Sequence, residues 1–255
     1  MLATRIGRPT NNHVAHGRDV VKCAKRLAAA RNLRSVDPAY RIFRDRAEAG
    51  ALLAREVARR FAESPHPGEV VVLGLPRGGV PVAAAVARAL DATLDVLVVR
   101  KLGVPYQPEL AMGAIGEEGA RVLNEQVLAV AGVSPRELAE VERREREELD
   151  RRARAYRPHR PRADLQGKTA VIVDDGIATG STVAAAAAIA RQAGAQSVVI
   201  ATPVAPPSSI ARLSDVADEV ITLETPEDFF AIGEWYRDFS PASDDEVRQL
   251  LAEAR

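Results

Sequence analysis

The segment Val171-Ile172-Val173-Asp174-Asp175-Gly176-Ile177-Ala178-Thr179-Gly180-Ser181-Thr182 constrains the fold of this chain more than any other stretch. Its three β-branched residues leave no polar alternate face, which predicts a parallel strand covered on both sides. Two adjacent carboxylates follow, then a loop of small residues, then an alanine-rich helix over residues 183–191 with Ser181 or Thr182 placed to cap it. This order leaves the backbone N–H groups of residues 178–182 at a helix N-terminus, where roughly half a positive charge suits a phosphate. Paired acids beside such a cradle suit hydroxyl groups or a magnesium ion. Together they point to a phosphorylated sugar.

Rival readings are weighed on the same residues. A Walker A loop needs a lysine, and none lies between Asp174 and Thr182. The dinucleotide pattern G-x-G-x-x-G is absent as well. A phospho-acceptor aspartate leaves the run from Ala178 to Thr182 without a purpose. The bland alternative is a capped strand-to-helix turn with solvated acids. The full motif resembles the ribose-phosphate signature of type I phosphoribosyltransferases: two hydrophobics, two acids, a short spacer, then Thr-Gly and a small-residue helix start. In that family the acids contact the 2- and 3-hydroxyls of phosphoribosyl pyrophosphate (PRPP), and the loop holds its 5-phosphate. The resemblance therefore implies that Asp174 and Asp175 are catalytic and hold the ribose, directly or through magnesium. It assigns the 5-phosphate to Ala178, Thr179, Gly180, Ser181 and Thr182.

PRPP also carries a pyrophosphate, and Val70-Val71-Val72-Leu73-Gly74-Leu75-Pro76-Arg77-Gly78-Gly79-Val80-Pro81 supplies a second loop. It is another buried strand, ending in one cation and two glycines before an alanine-rich helix over residues 82–90. The glycines allow close backbone approach and positive φ, and Arg77 can pair with phosphate through two parallel bonds. Alone this reads as a tight turn. Upstream of the acid motif it resembles the family's pyrophosphate loop, which implies that Arg77, Gly78 and Gly79 bind pyrophosphate.

A third strand, from Leu94 to Val99, is expected to end in Arg100 and Lys101, on the rim where open α/β sheets bind ligands. Adenine and orotate members carry a comparable pair beside a mobile loop, here residues 103–109. The resemblance implies pyrophosphate binding by Arg100 and a catalytic role for Lys101 against the leaving group. The plain alternative is a pair of strand-end cations kept for solubility. One departure concerns the acid with which hypoxanthine-type members handle the purine proton: the matching residue is Ala178. That argues against a hypoxanthine-guanine enzyme and leaves adenine and uracil types open.

Elsewhere the α/β alternation continues. Residues 111–115 and 121–123 flank a hairpin turn at Gly116-Glu117-Glu118-Gly119. Ser134-Pro135-Arg136-Glu137 is a capping box with proline at the first helical position. The helix it opens is so dense in charge that only Leu138, Val141, Leu149 and little else can face a core. Residues 157–162 read as a stiff linker, and strands are expected at 197–201 and 219–223. The expected fold is thus α/β: a doubly wound, mainly parallel five-stranded sheet of phosphoribosyltransferase type, with a small hood or flap and an N-terminal helical extension. The resemblance supplies the strand order 3-2-1-4-5. It covers residues 43–240, with a charged helical insertion at about 134–156, a basic extension at 1–42 and a C-terminal helix at 241–255. The aromatic run Phe229, Phe230, Trp235, Tyr236 and Phe239 either stacks a nucleobase beneath the hood or packs as core.

Formal neutrality hides an asymmetry: residues 1–46 carry eleven Lys or Arg against three acids. A basic arm of this kind can contact nucleic-acid phosphates or resemble a transit peptide; a poorly packed extension around residues 20–33 is favoured over both. The single cysteine, Cys23, excludes an intrachain disulfide and fits a reducing, cytoplasmic setting. No apolar run approaches the roughly 20 residues that cross a bilayer. His13, His16, His66 and His159 lie away from all three motifs, against histidine catalysis or a zinc site. The expected protein is a magnesium-dependent, homodimeric phosphoribosyltransferase acting on PRPP and a small-molecule acceptor, a nucleobase foremost. Its rival is a catalytically silent regulator that senses PRPP or a nucleotide on the same fold.

Overall fold

Runs of β-branched and aliphatic residues alternate with alanine-rich amphipathic stretches along most of the chain, and the layering follows from that alternation. The computed structural model describes residues 40–64, 66–158 and 160–254. The basic extension up to residue 39, with His13, His16 and Cys23, and also His159, lie outside the described residues. In chain order the elements are helix α1 (Arg46–Glu63), strand β1 (Val70–Gly74), α2 (Gly79–Leu90), β2 (Thr93–Val96), β3 (Arg100–Val104), β4 (Gln107–Ile115) and β5 (Arg121–Leu123). Then follow α3 (Glu125–Ala131), α4 (Pro135–Tyr156), β6 (Thr169–Val173), α5 (Ser181–Gln192), β7 (Ser197–Val204), α6 (Pro207–Leu213), β8 (Glu219–Glu224) and α7 (Asp244–Glu253).

Five strands form one parallel sheet in the order β2-β1-β6-β7-β8. Every residue of β6 and β7 is buried, as expected of strands covered on both faces. One face packs Val72, Val171 and Val199 with Leu53 of α1 and Val82 of α2. The other packs Ile172 and Ile200 with Ala187 and Ile189 of α5. Counted along the chain, the five strands lie in the order 2-1-3-4-5, not the expected 3-2-1-4-5. From β1 the chain steps outward to β2, then returns past β1 to lay β6 on its free side. The winding direction therefore reverses between β1 and β6, and the crevice at that reversal is where sheets of this kind take ligands.

A second correction concerns Arg100 and Lys101. Strand β2 stops at Val96 and the chain leaves the large sheet. Arg100 and Lys101 instead open β3, part of a separate antiparallel sheet ordered β3-β4-β5. The expected loop at residues 103–109 narrows to a turn at Pro105 and Tyr106. The unbroken apolar run up to Val99 hid the exit, because a buried crossing segment and a buried strand look alike in sequence. What distinguishes 100–104 is alternation: Leu102 and Val104 are buried, whereas Lys101 is exposed. The small sheet is the expected flap.

Helix α4 braces the flap. Its start is the expected capping box, with Pro135 in the first turn. Val141 and Leu149 are buried, and Tyr156 joins them. Glu145 pairs with Arg100 of β3 at 2.5 Å and Glu142 with Arg121 of β5 at 3.1 Å. The linker after α4 is anchored as well as stiff. Asp95 of β2, wholly buried, accepts from Arg157 Nη1 at 3.0 Å and from the Ala163 N–H at 2.8 Å. Arg157 also reaches Glu117 in the β4–β5 turn.

After β8 a strap crosses back to the start of the described chain. The Phe43 N–H donates to the Trp235 carbonyl and the Arg237 N–H to the Phe43 carbonyl, each at 2.8 Å. Trp235 and Tyr236 are buried, so core packing accounts for this part of the aromatic run; Phe230 alone of it stands largely in solvent. Among the described residues no helix is long and apolar enough to cross a membrane.

Candidate functional site

Strands β1 and β6 end level, with Gly74 opposite Val173, so the loops that follow them emerge side by side. The Leu75 N–H donates to the Val173 carbonyl at 2.9 Å and extends the pairing one step beyond β1. Pro76 and Arg77, joined by a cis peptide, then lead into Gly78 and Gly79. Close approach, rather than positive φ, explains these glycines: Gly78 has φ −63. A Cβ on Gly79 would lie 2.5 Å from the Val173 carbonyl oxygen and 2.9 Å from the Asp174 Cα. A Cβ on Gly78 would lie 2.0 Å from Asp175 Oδ2. The backbone of the first loop thus rests on the acids of the second. Gly79→Ala must push two backbones apart, and it is expected to cost about 1–3 kcal/mol. Thermal unfolding should record the change as a midpoint lower by about 2–12 °C.

The second loop meets α5 at its N-cap residue, Gly180, whose φ is +74. Only glycine adopts this conformation without strain. Ser181 and Thr182 are therefore in the first helical turn and exposed, not capping. The Ala184 N–H makes the first helical bond, to the Gly180 carbonyl at 2.8 Å, so the N–H groups ahead of it have no intrahelical acceptor. Ala178 and Thr179 are exposed beside them.

Residues that sequence reasoning missed hold this loop from behind. Ser209 Oγ of α6 donates to the Ala178 carbonyl, and Arg212 Nη2 donates to the Thr179 carbonyl, each at 2.5 Å. The only sequence signal was Pro206-Pro207 announcing a helix. Ser209→Ala removes a fully buried hydroxyl and its bond, an expected loss of about 0.5–1.5 kcal/mol. Thermal unfolding should record it as a midpoint lower by about 1–6 °C.

Between the loops lie Asp174 and Asp175. The Asp175 N–H donates to Asp174 Oδ1 at 2.9 Å, and Tyr236 Oη donates to the Asp175 carbonyl at 2.5 Å. Asp175 Oδ2 accepts from Arg46 Nε at 2.7 Å. Burial, reinforced by the neighbouring Asp175 charge, pushes the Asp174 carboxyl well above the ordinary aspartate range. Burial raises Asp175 too, against the opposing pull of Arg46. The Tyr236 phenol is driven up by burial and by the Asp175 charge. Arg46, the first residue of α1, carries no sequence signature. It also donates from Nη1 to the Ser240 carbonyl at 2.6 Å and lies 4.0 Å over the Phe239 ring.

The structure therefore gathers Gly78, Gly79, Asp174 and Asp175 in contact. Arg77 is on the same loop and exposed; its carbonyl accepts from the Val80 N–H at 3.2 Å, while its side chain makes no hydrogen bond or ion pair among the described residues. Arg100 and Lys101 are on the flap, and both are engaged by acids: Arg100 by Glu145, and Lys101 by Glu109 at 3.4 Å. Among the described residues no group of three or more His, Cys, Asp or Glu side chains is arranged to enclose a metal. A cation at this site would rest on one or two carboxylates and on oxygens of its ligand, the usual manner of magnesium.

Comparison with known proteins gives a consistent result. A family model described as the phosphoribosyl transferase domain matches residues 46–238. A Mycobacterium tuberculosis protein, recorded from two strains, is 53% identical over 214 residues; its name places it provisionally among the phosphoribosyl transferases. The match takes in 84% of this chain and 47% of that protein, so the chain spans about half the length of the curated relatives it matches. A crystal structure from Thermus thermophilus is similar at 45% identity with a TM-score of 0.76, over 84% of this chain and 99% of the other.

Proposed function

The chain belongs to the phosphoribosyl transferase domain family, and we propose that it transfers the 5-phosphoribosyl group of PRPP to a nitrogen nucleophile, a nucleobase foremost, with release of pyrophosphate. The observation that carries this reading is the contact between the two loops at the sheet's reversal point. A backbone cradle at Gly78 and Gly79 rests directly on Asp174 and Asp175, and the open N-terminus of α5 continues from the same loop. A ligand with an anionic group at each end and hydroxyls between them fits that order; a singly phosphorylated sugar would leave one cradle unused.

In this reading the N–H groups of residues 178–182 hold the 5-phosphate and the acids take ribose hydroxyls. The Gly78–Gly79 backbone and Arg77 receive the pyrophosphate. The nucleophile's lone pair forms the new bond to the anomeric carbon as the bond to the pyrophosphate oxygen breaks. Donors fixed before the reaction then meet charge as it develops on the leaving group and on the sugar. Magnesium, when bound, would neutralise part of the pyrophosphate charge, and Asp174 and Asp175 supply the hard oxygen donors it prefers.

The test is magnesium-dependent pyrophosphate release from PRPP across a panel of nucleobases, with the Asp174→Asn/Asp175→Asn double variant alongside. Release with one base, lost in the variant, is expected. PRPP that binds without release under any base would favour a sensor, a reading to which the engagement of Arg100 and Lys101 by acids lends weight. Failure of PRPP to bind at all would refute the transferase and a PRPP sensor alike, leaving the nucleotide sensor.

A further inference from the structure

Adjacent carboxylates in a sugar-binding motif are naturally read as equals, yet here their surroundings differ. Asp175 is the more enclosed, its side chain about 9% exposed. Its Oδ2 carries the Arg46 bond on one side and abuts the Gly78 backbone on the other. Its carbonyl takes the Tyr236 hydroxyl. Arg46 is itself held three ways: by Asp175, by the Ser240 carbonyl and by the Phe239 ring beneath its guanidinium. These contacts join four segments that are remote in sequence: the start of α1, the pyrophosphate-type loop, the acid loop and the C-terminal strap. Asp174 keeps more exposure, and among the described residues its side chain takes a hydrogen bond from the next N–H in the chain and from no remote segment.

We infer that the two acids divide their labour, with Arg46 as the positioning residue. Arg46 draws Asp175 into a strut beneath Gly78 that fixes the spacing of the two anion loops, and Asp174 is the carboxylate that bears the larger share of the sugar contact. The inference rests on the PRPP reading above. It goes beyond it by separating residues that hold the ligand from residues that hold the site.

A ligand spanning both loops feels their spacing, whereas one held by the acid loop alone does not. The probes are therefore PRPP with magnesium and ribose 5-phosphate, their affinities measured on the full chain by calorimetry. In Arg46→Met, PRPP should bind about 10- to 100-fold more weakly, while ribose 5-phosphate should change less than about threefold, within ordinary surface effects. Asp174→Asn should weaken both ligands, and Arg46→Lys should recover part of the PRPP loss, since an ammonium restores the charge without the planar fork. Because Arg46→Met leaves a buried charge unpaired, Arg46→Met/Asp175→Asn serves as the variant that removes both partners and keeps the fold. It should retain the same selective loss of PRPP.

Equal losses of both ligands in the Arg46 variants, or none, would overturn the division of labour. So would Asp175→Asn weakening ribose 5-phosphate as much as Asp174→Asn does. A wild-type chain that binds PRPP no better than ribose 5-phosphate would instead overturn the underlying reading, and the two failures are distinct.

Discussion

Asp174→Asn is expected to weaken PRPP binding steeply while raising the thermal midpoint of the ligand-free protein. The two effects share one cause. Burial and the adjacent Asp175 charge make ionised Asp174 unfavourable in the folded chain. Its folded-state pKa is raised, so its favourable share of stability is complete below the ordinary aspartate value of 3.8 and is lost as pH climbs through the folded value. The asparagine variant has no such proton to lose. Its advantage in midpoint over the wild type should therefore grow as pH rises from the ordinary aspartate range towards neutrality, a trend that unfolding scans at several pH values would read. The loss of function follows from the lost charge. A carboxylate accepting two hydroxyl protons contributes about 1.5–3 kcal/mol per bond, so affinity should fall about 10²- to 10⁴-fold. A variant that is both less stable and still tight for PRPP would contradict this account of Asp174.

The second large effect is expected far from the ligand. Asp95→Ala should destabilise the fold by about 3–5 kcal/mol, because it takes from a buried arginine one of its two acidic partners and leaves two backbone donors unpaired. The Arg157 side chain is about 4% exposed, and Asp95 is not exposed at all. Asp95 also accepts the Val96 and Ala163 N–H groups, each at 2.8 Å, so both of those donors lose a partner too. For a domain of this size the loss corresponds to a midpoint lower by about 6–20 °C. Asp95→Leu/Arg157→Met, which removes both charges at similar volume, should recover part of it, since Glu117 loses its arginine in turn. Chemical denaturation of the single and double variants would check the pair. A single variant within about 1 kcal/mol of wild type would show that the tie between β2, the β4–β5 turn and the linker does not matter to stability.

Much of the parallel sheet was legible because its strands are short β-branched runs followed by alanine-rich helices, and because turns with fixed chemistry punctuate them. The charged helix beginning at Ser134 was legible to its capping box and its buried Val141 and Leu149. The acid loop was legible for a different reason: two carboxylates, small residues and a helix start are a local pattern, and a local pattern survives without knowledge of the fold. Non-local facts were not. The strand order depends on which side of β1 the returning chain takes, which no local segment encodes. The exit of the chain after Val96 was masked by an apolar run that continues to Val99, and it moved Arg100 and Lys101 from the rim to the flap. Arg46, Ser209 and Arg212 belong to the site only through contacts 31 to 129 positions away in sequence. Their residue types, an arginine opening one helix and a serine and an arginine in another, are unremarkable by themselves.

The most direct measurement of the central claim is a crystal structure with PRPP and magnesium bound. The account predicts the 5-phosphate on the N–H groups of residues 178–182, the pyrophosphate on Gly78 and Gly79, and ribose hydroxyls at Asp174. A pyrophosphate lying away from the β1 loop, or a 5-phosphate away from the start of α5, would contradict it.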